Sequence, residues 1–577
     1  MHMADFLPGG VMGDWLKGAA SIAEGPRGQL ASPKAFEQNE RLQPRLDHVR
    51  PGVWSLIGNG LSNQTFVEGP EGIIAIDTGE CIEEMSAALD ALATVTSRPV
   101  VAVVYTHFHY VAGTVAITDR FGRDVPIFGH RRIPINRARA ANEIGPAYAR
   151  GLVQQFATSL PLDGPDGVVN VGLGLHYRNP AHRPFTQGHL APTVELNGGE
   201  STTIAGLRVD FDLAPSDADD SLTVWFPDLG VAVQNNVWPL VFNVYAIRGE
   251  EYRNPQVMIP GIDRLLALEP EHLVCTHGPS LSGRDEIRRR VTKYRDTIQL
   301  MWDQTVRLMN RGHTMDEIAH LVELPPDSES DYYTTEHYGL VEHHVRQIYT
   351  GIRGWFDDDP GHLFPLPPVE RADRMVEGFG GRDAVRDRVR RAMDDDDLRW
   401  ALEMSSWLTW SNDSTDDDRR LMADVLRAIA YRTSAANIRN WCLTRARDID
   451  GTESLERLRR HRLREQQILD MSPEASVDLL RVLVDPERAF GLDVHFTIDF
   501  GTVVVGLHLR NCVSVRTDGS GARHSVTVTY PTWARLLEGK VSLDDCLANG
   551  DVVITGDARI VSRALAVFEV SGLRGRT

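Results

Sequence analysis

Residues 73–106 constrain the fold more than any other stretch of this chain. IIAIDTG at 73–79 is an apolar run closed by a turn, 83–96 carries helical spacing, and VVAVVYT at 100–106 is again unbroken and apolar. A strand without polar alternation is one buried on both faces, as in a sheet covered by helices. VWSLIGN at 53–59 and the TFVEG that follows read as strands broken by glycine, and further strands are expected at 209–213, 222–225, 231–234 and 272–276. Strands with interspersed helices predict a layered α/β domain over residues 1–285.

Past Ser282 the texture changes. Helical periodicity starts near Ile287 and continues to about residue 450, interrupted by the proline-rich turn HLFPLPP at 362–368. Acidic clusters at 394–397 and 416–418 flank LRWALEMSSWLTW and read as solvated helix starts and loops. LERLRRHRLREQQ at 455–467 carries five arginines and reads as an exposed linking helix. The last hundred residues return to alternation in HFTIDF, TVVVGLHLRN, HSVTVTY and DVVITG, bracketed by helices at 472–483 and 558–570. Within them Phe496, Val504 and Leu507 are expected in the core. The expected division is therefore an α/β domain at 1–285, a helical domain at 286–450, a linker helix at 451–470 and a small α+β domain at 471–577.

A chain of 577 residues is too long for one hydrophobic core. Its 61 basic and 80 acidic side chains leave a formal charge of −19, which repels phosphate backbones and anionic membrane surfaces, so no nucleic-acid partner is expected. No apolar run is long enough for a transmembrane helix, and stable membrane insertion is not expected. MHMADFLPGGVMGDWLKGAASIAEGPRG lacks the basic start and long apolar stretch of a secretory signal. The cysteines (Cys81, Cys275, Cys442, Cys512, Cys546) are few, odd in number and scattered. Reduced thiols in the cytoplasm fit that pattern better than a disulfide framework.

Thr106-His107-Phe108-His109 ends the buried strand, where ligands bind in α/β proteins. Two imidazoles at i and i+2 can converge on one metal when the chain turns there, although an HxH by itself is common by chance. IIAIDTG, a helix, and a strand ending in THxH with Gly113 soon after resemble the metallo-β-lactamase superfamily. WFPDLG at 225–230, an Asn-rich strand end at 234–236, NVYAIRG at 243–249 and VCTHGP at 274–279 occur in the order seen in the alkylsulfatases, which hydrolyse dodecyl sulfate. HVRQIYTGIRGWFDDDPGHLFPLPP at 344–368 and AIAYRTSAANIRNWCLT at 428–444 resemble that family's dimerisation domain, and the C-terminal segment its sterol-carrier-like domain. The resemblance implies a metallo-β-lactamase αββα sandwich, an all-α dimerisation domain and a small α+β domain. It also implies a homodimer; Trp355 and Phe356 beside Gly354 offer a surface for it, with intramolecular core the competing reading.

The site departs from the family's pattern. Members carry HxHxDH for two zinc ions; here Val111 and Ala112 stand at the Asp and last His positions, and neither can ligate. Where the family has a bridging acid, this chain has Asn235 or Asn236. The resemblance leaves His107, His109 and Asp217 for one divalent ion, zinc being expected and Fe(II) the alternative. His277 is left as a ligand, a proton shuttle or a spectator, and Asn243 and Arg248 as the groups that hold a sulfate, with a surface salt bridge the competing reading for Arg248. His182 and His189, in a Pro-rich insertion, read as loop residues that could replace missing ligands. Three protein ligands leave an open position for water, whose pKa falls from about 15.7 towards about 7 on a metal. The first expectation is hydrolysis of an amphipathic anionic ester, by resemblance a sulfate ester of a hydrophobic alcohol. The loss of a second ion, at about 4 kcal/mol, would slow such a reaction roughly a thousandfold. Two alternatives stand beside it: an Fe(II) oxygen-dependent enzyme on the same two histidines and carboxylate, and a non-catalytic dimeric binder of amphipathic ligands.

Overall fold

The computed structural model describes residues 21–574 apart from Asn142 and 239–242. Most of the N-terminal stretch read for a secretory signal lies outside the described residues. The chain divides into two compact units, one drawn from 1–138 and 148–455, the other from 139–147 and 456–577.

In the first unit a seven-stranded sheet runs in chain order through Arg45–Arg50, Val53–Ile57, Gln64–Gly69, Gly72–Ile76, Val100–Val104, Ile127–His130 and Val194–Leu196. Its early pairs are antiparallel; from Gly72–Ile76 onward they are parallel. A second sheet of six strands contains Leu207–Leu213, Leu222–Phe226, Val231–Gln234 and His272–Cys275, the last two parallel. The unbroken apolar runs follow from the layering. Ile74, Ile76, Ala102 and Val104 face the other sheet, against Val209, Phe211, Val224 and Val233. Ile73, Ala75 and Val103 face outward onto Met85, Ala88 and Ile117 of the helices Ile82–Leu92 and Thr114–Phe121. Each buried valine, isoleucine, methionine or phenylalanine among them contributes about 1.5–3 kcal/mol.

The second sheet is covered likewise, with Ala232, Leu273 and Cys275 against Ile262, Ile287, Val291 and Ile348. Those partners lie on the helices Pro255–Ala267, Arg284–Met309 and Val341–Arg353, so the expected αββα sandwich is closed on this face by the start of the helical region. Five further helices, from Pro368–Gly378 to Ala436–Ile449, pack around a core that includes Val385, Met404, Trp407, Leu426 and Leu443. The 416–418 cluster starts a helix, as expected, but it is not wholly solvated. Asp418 closes a capping box with Thr415 and accepts from Arg386 Nε at 2.8 Å, its side chain fully buried. By contrast Trp355 is 70% and Phe364 88% exposed.

In place of one linker helix, 451–470 holds a 3-10 turn at Glu456–Leu458 and a short helix at Glu465–Leu469. Like charges at Arg459, Arg460, Arg462 and Arg464 disfavour a continuous helix there, and the pair of Arg459 with Glu456, at 3.1 Å, lies within the 3-10 turn and its edge. The second unit is an α+β fold with a five-stranded sheet in the order Val513–Thr517, Val504–Arg510, Asp493–Asp499, His524–Val528, Val552–Thr555. Phe496 and Leu507 are in its core with Trp533 and Leu565. Val504 is not: it opens its strand at the end of the ladder, opposite Asp499, and is 57% exposed.

Candidate metal centre

The first imidazole is aimed by a relay. The strand Gly72–Ile76 ends at Asp77, whose φ of 57° turns the backbone into the left-handed region. Its carboxylate accepts from the Thr106 amide at 2.8 Å and from Thr106 Oγ1 at 2.7 Å. Thr106 Oγ1 lies 2.9 Å from His107 Nδ1. With the hydroxyl proton directed to Asp77, Thr106 accepts from His107 Nδ1–H, and the Nε2 lone pair is left bare. That Nε2 is buried with no hydrogen bond among the described residues. Burial pushes the His107 pKa down to about 3, so the ring is neutral. An imidazole held through one nitrogen with the other unpartnered is arranged as a metal ligand.

His109 and Asp217 complete the cluster. The ligand atoms of His107, His109 and Asp217 all lie within 4.8 Å of one another, and His109 Nδ1 is 3.1 Å from Asp217 Oδ2. Two donors each about 2.0–2.2 Å from one ion stand about that far apart. The three residues therefore fit one divalent cation. Burial opposes ionisation of both partners, yet each holds the other charged: Asp217, with Glu250, raises His109 to about 9, and the two histidines hold Asp217 well below the carboxylate range.

Asp217 is fixed from its other oxygen. Asn235 Nδ2 donates to Asp217 Oδ1 at 2.8 Å, and the amide cannot flip because Asn235 Oδ1 accepts from Trp238 Nε1 at 3.1 Å. Of the two candidate asparagines, Asn235 therefore touches the site and serves it as a donor. The amide of Asn236 is buried without a hydrogen bond among the described residues and packs near Gly261.

The Val111 side chain lies in the core. Val111 is fully buried in the outer core with Met85 and Ile117, and its backbone pairs with Gly79. Ala112 N–H donates to Gly79 O at 3.0 Å. Gly113 follows where a Cβ would meet Thr78 O at 2.1 Å, so only glycine fits that approach.

His277 lies outside the three-residue cluster. Its Nδ1 is 2.9 Å from Leu61 O and its Nε2 3.4 Å from the Tyr110 hydroxyl, and burial pushes its pKa down to about 4. Neither loop histidine joins the ligands: His182 Nε2 is 2.9 Å from Asn59 O, and His189 packs against Tyr105. Asn243 is buried, its amide without a hydrogen bond among the described residues.

Arg248 is already engaged. Its Nε donates to Glu250 Oε1 at 2.9 Å and its Nη2 bonds the same oxygen; Arg253 Nη2 bonds Glu250 Oε2, and Arg253 Nη1 donates to Asn243 O at 3.1 Å. Burial opposes the charges here too, but the two guanidiniums hold Glu250 well below the usual carboxylate range. Glu250 Oε1 also stands 3.6 Å from His109 Nε2. Sequence reasoning missed this residue; an acid two positions after Arg248 and three before Arg253 was the available signal. It also missed Gln155, which bonds Arg248 N–H through Oε1 at 3.0 Å and donates to the Tyr338 hydroxyl at 2.8 Å. A further acid pair, Glu80 and the buried Glu84, follows the 73–79 strand; burial raises both, Glu84 to about 7.

Two family models match the chain, one described as alkyl sulfatase dimerisation over residues 314–451 and one as alkyl sulfatase C-terminal over 463–572. Over 527 residues the chain is 30% identical to a linear primary-alkylsulfatase of Pseudomonas sp., covering 87% of this chain and 98% of that protein. It is 28% identical over 543 residues to an alkyl/aryl-sulfatase of Saccharomyces cerevisiae, covering 91% of this chain and 82% of the yeast protein. Among solved structures, the stereoselective inverting sec-alkylsulfatase from Pseudomonas sp. superposes with a TM-score of 0.81 at 27% identity, over 93% of this chain and 87% of that one.

Proposed function

Because this chain belongs to the alkylsulfatase family, we propose that it is a metal-dependent hydrolase of sulfate esters of hydrophobic alcohols, working with one divalent ion held by His107, His109 and Asp217. The observation that carries this reading is the convergence of those three ligand atoms within 4.8 Å, with the His107 Nε2 buried and bare. Zinc is the expected ion and Fe(II) the alternative. The relatives named above are alkylsulfatases, which favours hydrolysis over oxygen chemistry or simple binding.

When bound, the ion supplies a Lewis acid that activates water and offsets charge on the ester. The chain's own groups do the rest. Asn243 and Arg248 receive the sulfate; Arg248 Nη1, which has no hydrogen bond among the described residues, is the arm open to a substrate oxygen. His277, neutral because it is buried, accepts a proton at Nε2 beside the Tyr110 hydroxyl. One ion rather than two is supported by Val111 in the core and by Asn235 acting as a donor.

The family model for 314–451 supports a homodimer, and the exposed Trp355 and Phe364 support a surface for it. A sterol-carrier-like role for the C-terminal unit rests on resemblance. Among the described residues no helix is long and apolar enough to cross a membrane. All five cysteines are unpaired, which supports the cytoplasm.

The test is release of inorganic sulfate from dodecyl sulfate, together with metal content. About one ion per chain and activity lost with the ion in His107→Ala are expected. Wild-type protein that takes up no metal, or hydrolyses alkyl sulfates equally well without it, refutes the proposal.

A further inference from the structure

Glu250 lies between two pieces of machinery that the proposed function keeps separate. One oxygen faces His109 Nε2 at 3.6 Å, and the carboxylate is bonded by both Arg248 and Arg253. All four side chains are at least 88% buried, with exposures of 12% for His109, 11% for Glu250, 6% for Arg248 and 3% for Arg253. His109 Nε2 is buried and has no hydrogen bond among the described residues, since 3.6 Å is just beyond range. Its other nitrogen, Nδ1, faces Asp217.

We infer that Glu250 is a positioning residue that holds the Nε2–H of His109, leaving Nδ1 as the metal-binding atom, while it occupies the guanidinium that the substrate's sulfate must share. This role rests on the metal reading above. The argument is one of tautomer and charge. Once a cation takes the place of the Nδ1 proton, the imidazole carries a proton on Nε2 only, and a carboxylate beside Nε2 keeps it there. Ligand histidines are commonly backed by a carboxylate in this way, and losing it costs roughly 10–100-fold in metal affinity. Glu250 cannot swing freely, because Arg248 and Arg253 fix both of its oxygens.

The second half follows from the same contacts. Arg248 meets Glu250 through Nε and Nη2, the edge a guanidinium would offer to two sulfate oxygens. An incoming sulfate therefore lies beside a fixed negative charge. The carboxylate thus favours cation binding and disfavours anion binding, and removing its charge must move the two affinities in opposite directions. A residue that only supported the fold would weaken both.

The experiment compares wild type, Glu250→Gln and Glu250→Asp as full chains. Cobalt(II) is titrated into metal-free protein and followed by its visible absorption; inorganic sulfate is then titrated calorimetrically into the cobalt-loaded proteins. Glu250→Gln is expected to bind cobalt 10–100-fold more weakly, with a changed spectrum. It is expected to bind sulfate about tenfold more tightly, as removal of one nearby like charge implies. Glu250→Asp retains the charge that Arg248 and Arg253 require and so protects the fold. Its shorter arm lies further from His109, so cobalt should weaken while sulfate affinity stays near wild type. If wild type binds cobalt and both variants match it in affinity and spectrum, or if Glu250→Gln weakens both ligands together, the role is overturned. If wild type binds no cobalt, the metal reading falls and takes this role with it.

Discussion

Asn235→Asp replaces one NH2 by an oxygen, at an atom that also donates to the hydroxyls of Ser216 at 3.0 Å and Ser221 at 3.2 Å, groups able to turn and donate to the new oxygen. In the wild type Nδ2 donates to Asp217 Oδ1 at 2.8 Å while Oδ1 is held by Trp238 Nε1. The variant keeps the second bond and turns the first into two facing carboxylates. A hydrogen bond to a charged group contributes about 1.5–3 kcal/mol. Two like charges with centres about 4 Å apart repel by about 4 kcal/mol at an effective dielectric of about 20. Proton uptake caps the combined loss, because carrying a carboxyl from about 3.9 to about 7.5 takes about 5 kcal/mol. A deficit of about 3–5 kcal/mol is therefore expected at pH 7.5 in protein stripped of metal. The sign with pH is fixed. The new carboxyl has a raised folded pKa, so the stability of its protonated form is complete below about 3.9 and is lost as pH rises through the raised value. At pH 5 the protonated group again donates to Asp217, and the deficit should fall below about 2 kcal/mol. A chain with two compact units is not two-state, so the readout is the difference in apparent Tm at one scan rate, in chelator, at pH 5 and pH 7.5. Equal melting at pH 7.5, or the same deficit at both pH values, would refute the assigned contact.

Arg248→Lys keeps a cation beside Glu250 but loses the planar fork; kcat/KM for dodecyl sulfate should drop at least about tenfold, mainly through KM, and an unchanged value removes Arg248 from anion binding. Asp77 is raised by burial from 3.8 to about 7, so its protonated form stabilises the fold fully below the lower value and loses that contribution as pH rises through the upper one. The melting advantage of wild type over Asp77→Asn should accordingly shrink between about pH 4 and pH 7, and a flat difference would contradict it. For the proposed homodimer, Phe364→Asp combined with Trp355→Asp should give monomers in sedimentation velocity where wild type gives dimers; dimers in both would place the interface elsewhere.

The sheets were legible because apolar runs and alternation are local signals, and so was His107–His109, which the buried strand 100–104 must deliver at its end. Asp217 could be placed through its spacing from WFPDLG, although three acids compete in that turn. What could not be read was long-range. Asn235 and Asn236 are chemically identical neighbours, and only the Trp238 indole separates their roles. Tyr338 reaches Gln155 from a helical region far along the chain, with no pattern to announce it. Glu250 was hidden for a different reason: an acid between arginines looks like a surface pair until burial shows otherwise. Val504 misled because alternation predicts a face and says nothing of where a ladder ends.

The burial of Val111 makes its position hard to convert into a ligand. Its side chain fills the hydrophobic layer beneath the outer helices, and its backbone is tied to Gly79, so an aspartate put back at that position would leave an unpaired charge among aliphatic groups instead of reaching a cation. Holding a second cation beside His107, His109 and Asp217 would therefore require repacking this layer and not a single substitution.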